Sequence, residues 1–410
     1  MKIKPVRGTH DFFGQQVIKY RTIQDLISHY SVIYNFEEII TPIFESTELF
    51  KKPLGENSDV VLKEMYTFKD KNEDLITLRP EYTTPMIRAA ISNNLLEKLP
   101  KKLYGIGPMF RRERPQKGRY RQFNQINFEI LGTHDISADI DLIILANNFL
   151  KNLLPEKKIN LFINSLGDKN TLSNFSIALG NYFKQNKKKL TEESQSKIVS
   201  NPIRILDSKD PTDIEINLNA PKISDFYSNE AKEKFSNIQK ILKDMSVDFS
   251  INMNLVRGLD YYCHTVFEFK TSDLGSQDTL IGGGRYDGLT KLLGGPDIPG
   301  VGWAGGIERL IMLMDDIKPL QKTIHLIIIN ESFREYGLKV ANQLRKENIN
   351  IHFDYKYNLK KSLSYANQSG VRYAIIIGEE EAQNNLCTLK DLNKNVQEKK
   401  TIENIIKDLS

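Results

Sequence analysis

Residues 110–129 read FRRERPQKGRYRQFNQINFE. Arg111, Arg112, Arg114, Lys117, Arg119 and Arg121 crowd together there with Glu113 and Glu129. Positive charge this dense, on a hairpin with Gly118 at its tip, suits phosphate. A guanidinium offers phosphoryl oxygens a planar fork and stacks on bases. Phe123 adds an aromatic plate on which an adenine could lie. A charged run is otherwise a solvated surface hairpin. Residues 300–314, GVGWAGGIERLIMLM, place glycines at 300, 302, 305 and 306 along a strand that opens into a helix, with Arg309 in its first turns. Glycine lets a ligand approach the backbone closely, and Arg309 can neutralise a triphosphate. The alternative is a tight strand–helix packing turn. The run is not a phosphate loop of the GxxxxGK[ST] type.

Two further stretches carry chemistry. In RPEYTTP, residues 79–85, Glu81 and Thr83 precede a helix. A carboxylate and a hydroxyl there can hold an ammonium group. By itself the stretch reads better as a helix N-cap by Thr83 or Thr84, worth roughly 0.5–2 kcal/mol. In LVRGLDYYCHTVFEF, residues 255–269, a strand-like run carries Arg257, Asp260, Tyr261 and Tyr262. Strand alternation sends the two tyrosines to opposite faces. Either the polar residues lie at the exposed start of a sheet strand, or they line a small-molecule pocket.

The elements around these motifs follow from periodicity. Ile23, Leu26, Ile27 and Tyr30 have helical spacing, ahead of an extended run, NFEEIITPIFE, ended by Pro42. LITLRPEYTTPMIRAAI reads as strand, turn, helix. KLYGIGPMFRRE and RQFNQINFEILG read as two strands joined by RPQKGRY, and DIDLIILANNFLKNLL as a helix. From about 167 to 247 strand runs become scarce, which points to a helical insertion. After DDIKPLQKT, strands and helices alternate, implying a small α/β unit with a largely parallel sheet. The expected domains are 1–322 and 323–410.

The 410 residues suit two or three domains. A net charge of +5 permits an acidic partner without demanding one. Cys263 and Cys387 exclude a disulfide framework and give no metal cluster, which fits a reducing, cytoplasmic setting. The start has no apolar signal region, and no run reaches membrane-spanning length, so no membrane partner is expected. His10, His134, Cys263 and His264 receive structural readings, and no metal ligand is assigned.

Together the motifs resemble the class II aminoacyl-tRNA synthetases. NFEEIITP is similar to their motif 1, the FRRE…F hairpin to motif 2 and GVGWAGGIERL to motif 3. Within that class the chain resembles the histidyl-tRNA synthetases, through LVRGLDYY, TVFE and the early RGTHDFF. The resemblance covers nearly the whole chain. It implies an α+β fold, an antiparallel sheet flanked by helices with a helical insertion and a C-terminal α/β anticodon-binding domain.

The resemblance also implies roles. Glu129 and Tyr262 would hold the imidazole of histidine. Glu81, Thr83 and Gln125 would bind its ammonium group, with Tyr82, Tyr261 and Tyr286 completing the wall. Arg257 would contact the carboxylate and the α-phosphate. For ATP, Arg111 would grip the α-phosphate, Glu113 the adenine amino group, Phe123 the ring and Arg309 the γ-phosphate, with Arg119 beside them. Arg257 and Arg111 would be catalytic. Arg114, Gln116 and Arg121 would meet tRNA(His), Mg2+ would bridge the β- and γ-phosphates, and motif 1 would form a homodimer. One departure is Asn35, where the family has glycine; asparagine tolerates a left-handed backbone. Two rivals remain. One is a catalytically inactive paralogue acting as the histidine-sensing regulatory subunit of ATP phosphoribosyltransferase, the other a synthetase for another amino acid. Retained Arg111, Glu113, Phe123 and Arg309 oppose the first, and RGLDYY opposes the second.

Overall fold

The computed structural model describes residues 3–55, 58, 60–317 and 323–409. The chain divides into two units, Met1–Asp316 and Ile317–Ser410. The boundary expected at 322 falls outside the described residues.

In the first unit, strands β1 (Glu37–Glu38), β2 (Phe44–Ser46), β3 (Tyr66–Lys69) and β4 (Leu75–Leu78) precede the long hairpin β5 (Lys101–Phe110) and β6 (Gln122–Leu131). Then come β7 (Asn160–Ser165), β8 (Ser250–Ile251), β9 (Cys263–Lys270), β10 (Thr279–Arg285) and β11 (Gly300–Gly306). Eight of them form one sheet in the order β1-β5-β6-β11-β10-β9-β7-β8, antiparallel except for its two short outer pairs. β2, β4 and β3 make a small antiparallel sheet. β3 was not anticipated, because YTFK is short and mostly exposed. Asn35 adopts φ 57°, so the left-handed turn survives without glycine.

Alternation along β6 sorts its residues by face. Ile126, Phe128 and Ile130 enter a core with Trp303, Phe149 and Ile143. Helices Gln15–Ile33 and Ser137–Leu153 supply much of that core. Phe123, Gln125, Asn127 and Glu129 alternate with them and therefore share the opposite face, toward helix Thr83–Ser92. There a second core gathers Tyr82, Met86, Leu103, Tyr262 and Tyr286.

The expected helical insertion is present. It holds helices Lys169–Gln185, Glu192–Ser200, Pro211–Asn217 and Asn229–Asp244. Several have side-chain caps. The Ser228 hydroxyl accepts from the Ala231 N–H at 3.2 Å and donates to Asp168 at 2.8 Å. Ser228→Ala is expected to lower stability by about 1 kcal/mol, the usual loss of a cap, measurable by urea unfolding of the two proteins.

The second unit holds β12 (Ile324–Ile328), β13 (Ile351–Asp354), β14 (Tyr373–Ile377), β15 (Cys387–Asp391) and β16 (Val396–Lys400). β13, β12 and β14 are parallel, and β15 and β16 add antiparallel pairs. The parallel character expected from sequence therefore holds for three strands of five. β16 is a mostly exposed edge, VQEKK, whose polar residues conceal a strand from pattern reading.

Candidate active site

The run Leu255–Tyr262 is not a strand; β9 begins at Cys263. The alternation argument for Tyr261 and Tyr262 therefore fails. Their rings lie 4.7 Å apart, and both contact Tyr286, at 5.6 and 6.5 Å. A glycine-containing loop can bring neighbours to one place, where a pleated strand separates them.

Near these rings lie two buried carboxyls, Glu81 and Glu129. Thr83 is the first residue of its helix, and no threonine caps it. Glu81 does so instead. Its Oε2 accepts from the Thr83 N–H at 2.8 Å and its Oε1 from the Thr84 N–H at 2.9 Å, with the Thr84 hydroxyl added. Glu129 Oε1 accepts from the Thr83 hydroxyl at 2.6 Å and from Asn127 at 3.3 Å, while the Tyr286 hydroxyl donates to Oε2. Burial pushes the Glu129 carboxyl up to about 7, with hydrogen bonds from Thr83, Tyr286 and Asn127 opposing and Glu81 adding to the rise. Burial raises Glu81 as well. Two buried carboxyls, one of which raises the pKa of the other, favour a ligand that brings N–H donors and positive charge.

The motif glycines have a more specific task than open access for a ligand. A Cβ at Gly302 would overlap the Glu129 carboxylate, and one at Gly282 would overlap the Arg257 guanidinium. These positions let both charged groups lie flat on the sheet.

Tyr82 faces elsewhere. Its hydroxyl donates to the Ile39 carbonyl at 3.1 Å, and the Arg79 guanidinium lies 4.2 Å from its ring centre. Only its backbone N–H turns toward the site residues, donating to Gln125 Oε1 at 3.2 Å.

Next to these residues is a cavity of about 360 Å³, lined among others by Arg111, Arg119, Phe123, Gln125, Arg257 and Arg309. Its size is that of small-molecule sites. The Arg111 guanidinium lies 5.5 Å from the centre of the Phe123 ring, and its Nε donates to the Pro80 carbonyl at 2.7 Å. Glu113 forms an ion pair with Arg119. Arg309 donates to the carbonyls of Gly118 at 3.0 Å and Thr279 at 2.6 Å. Burial lowers the pKa of Arg309, and repulsion from Arg111 and Arg119 lowers it further. Mutually repelling arginines around a cavity favour a polyanion. Arg257 is ion-paired with Glu268, which also takes Lys270 at 2.9 Å.

The residues expected on the tRNA side lie on the hairpin loop. Gln116 and Arg119 exchange backbone hydrogen bonds of 3.1 and 2.9 Å. Arg114 and Gln116 are exposed. The Arg121 N–H donates to the Gly8 carbonyl at 2.8 Å, and His10 packs against Tyr120, so RGTHDFF braces this loop.

Sequence reading missed Glu268 and Glu308. Glu308 accepts from the Asn124 N–H at 2.8 Å and lines the cavity, and burial pushes it up to about 7. Its signal was available: an acid beside Arg309 at the start of a helix. Glu268 faces Gly282 across the β9–β10 pair, a register that only the fold supplies.

A central antiparallel sheet carrying the long β5–β6 hairpin, with a glycine strand running into an arginine-bearing helix, defines a class II aminoacyl-tRNA synthetase. A histidyl-tRNA synthetase family profile matches residues 8–310, and an anticodon-binding-domain profile matches 323–410. The histidine–tRNA ligase of Wolbachia pipientis subsp. Culex pipiens (strain wPip) is 44% identical over 99% of this chain and 100% of its own. The crystal structure of apo S. aureus histidyl-tRNA synthetase matches with a TM-score of 0.81 at 32% identity, covering 100% of both chains. This chain belongs to the histidyl-tRNA synthetase family. It is an aminoacyl-tRNA ligase that uses ATP. A Bacillus halodurans protein described as an ATP phosphoribosyltransferase regulatory subunit/histidyl-tRNA synthetase matches at 19% identity and TM-score 0.66, over 92% of this chain and 100% of its own, a likeness of fold alone. The regulatory-subunit alternative is therefore not favoured.

Proposed function

We propose that this chain activates histidine with ATP and transfers it to the 3′ end of tRNA(His). The observation that carries this reading is a bipolar site: a buried pair of carboxyls beside an arginine-lined cavity. Glu129 and Tyr262 hold the imidazole nitrogens. A rival amino acid lacking them could not answer the Glu129 carboxyl and the Tyr262 hydroxyl with matching groups, a source of discrimination. Glu81, Thr83 and Gln125 receive the ammonium group, and Tyr261 and Tyr286 wall the pocket. Phe123 stacks on adenine, and Glu113 accepts from its amino group.

A histidine carboxylate oxygen attacks the α-phosphorus, the bond to the bridging oxygen breaks, and pyrophosphate leaves. Arg111 and Arg257 stabilise charge on the α-phosphate, and Arg119 and Arg309 neutralise the leaving pyrophosphate. The terminal hydroxyl of the tRNA then attacks the histidyl carbonyl and AMP departs. Positioning and charge neutralisation carry both steps. Mg2+ would enter with ATP and add to the charge neutralisation that Arg119 and Arg309 supply in this cavity. Glu113 and Glu268 are already paired with arginines, which supports arginine as the main counter-charge to the α-phosphate.

Arg114, Gln116 and Arg121 meet the acceptor end, and the unit from 323 onward reads the anticodon. Unpaired bases offer edges and stacking faces, and Tyr355 is exposed there. No helix among the described residues is long and apolar enough to cross a membrane, and the site of action is the cytoplasm. The purified chain with ATP, Mg2+ and labelled histidine is expected to charge tRNA(His); absence of charging would contradict the reading. Anticodon-substituted tRNA should be charged less well by the same protein.

We also infer a homodimer through motif 1. Val32, Ile33, Ile40, Ile43 and Phe44 are all exposed, an apolar stretch that favours a covering partner. Light scattering should give twice the chain mass, and a monomer mass at every concentration would count against it.

A further inference from the structure

Cys263 and His264 open β9, and Asp287 follows β10; none has a part in the chemistry above. Neighbours in a regular strand point to opposite faces, yet ligand atoms of Cys263, His264 and Asp287 all lie within 4.8 Å of one another. A bulge brings this about. Gly284 pairs with Val266, but the next residue, Arg285, pairs with Cys263. His264 lies inside the bulge with φ 48°, a left-handed conformation uncommon for a residue with a Cβ. Such bulges re-aim side chains, and their strain gathers at sites with a task.

The spacing is that of ligands. His264 Nε2 lies 3.9 Å, and His134 Nδ1 3.8 Å, from the same oxygen, Asp287 Oδ2. Both distances are too long for hydrogen bonds. They approach the edge of a tetrahedron with metal–ligand bonds of 2.0–2.1 Å, about 3.4 Å. A void of about 10 Å³ is lined by His134, His264 and Asp287, close to the volume a single water-sized occupant needs. The Asp287 N–H points to Cys263 Sγ at 3.3 Å.

Positive groups face the same void. Arg285 Nη1 lies 3.4 Å from Asp287 Oδ1, but the Arg285 charge is paired with buried Asp139. Lys234 is ion-paired with Glu230 at 2.7 Å. Asp287 Oδ2 is left toward the two histidines.

We propose that Cys263, His264 and Asp287 bind one zinc ion, with the exposed His134 closing the shell. One sulfur, two imidazole nitrogens and one carboxylate oxygen suit tetrahedral zinc; calcium and magnesium prefer oxygen alone. Four protein ligands leave no open position, so the ion is structural. Binding sends the thiol proton of Cys263 to solvent. Cys263 follows Tyr262, Asp287 follows Tyr286, and His134 lies just beyond β6, which carries Glu129. The ion would therefore pin the three segments that wall the acidic pocket.

The test uses the full chain, stripped with a chelator and titrated with Zn2+, then Co2+. One ion per chain is expected, with a thiolate-to-cobalt charge-transfer band and the strong visible absorption of tetrahedral cobalt. Zinc should raise the midpoint of thermal unfolding. Cys263→Ser should lose the charge-transfer band, and His134→Gln should bind roughly tenfold or more weakly. If Cys263→Ser fails to fold, Asp287→Asn, which keeps the thiolate, should bind zinc roughly tenfold or more weakly, and unchanged zinc affinity in it would overturn the proposal. No zinc uptake at micromolar concentration, or a cobalt spectrum without the thiolate band, would overturn the proposal.

Discussion

Arg257→Ala is expected to slow histidine-dependent adenylate formation by roughly 10²–10³, the usual loss of one donor to transition-state charge. The guanidinium lies over Gly282, paired with Glu268 and 5.7 Å from the centre of the Tyr262 ring. It therefore lies between the two buried carboxyls and the arginine-lined cavity, where the proposed reaction has the histidine carboxylate meet the α-phosphate. Glu268 holds it in that place. Pre-steady-state formation of the adenylate separates this role from substrate binding. Exchange within tenfold of the unsubstituted enzyme would remove Arg257 from the chemistry.

Glu129→Gln is expected to weaken histidine binding by roughly 1.5–3 kcal/mol, the range for a hydrogen bond to a charged group. The same change should make the ligand-free protein more stable at alkaline pH. In the folded chain the Glu129 carboxyl has a pKa of about 7, against about 4.3 when unfolded. Its stabilising contribution is complete below the unfolded value and is lost as the pH rises through 7, in all up to about 4 kcal/mol. Glutamine has no such loss. Urea unfolding from pH 5 to 8 should show the difference growing in favour of the variant, while calorimetry shows weaker histidine binding. If the unsubstituted protein gained stability relative to the variant over that range, the buried-acid account would be wrong, and an unchanged dissociation constant would take Glu129 out of the pocket.

Much of this site was legible because its residues lie on one regular strand. Phe123, Gln125 and Glu129 differ by even steps, so β6 alone aims them at one face. The glycines at 300 and 302 marked a close approach, although their neighbours, Tyr286 and Glu129, come from other segments. What stayed hidden was long-range or irregular. Residues 255–262 have strand-like composition but form a loop, so Tyr261 and Tyr262 meet. The helix at Thr83 is capped by Glu81, a long acid reaching forward, where sequence favours threonine. The bulge that brings His264 to Asp287 depends on pairing across two strands and leaves no periodic trace.

The central claim is that the acidic pocket selects histidine and delivers it to ATP beside it. ATP–pyrophosphate exchange, run with each amino acid in turn, tests it most directly. The account predicts exchange with histidine alone, reduced in both Glu129→Gln and Arg257→Ala. Exchange driven by another amino acid, or none with histidine, would contradict it.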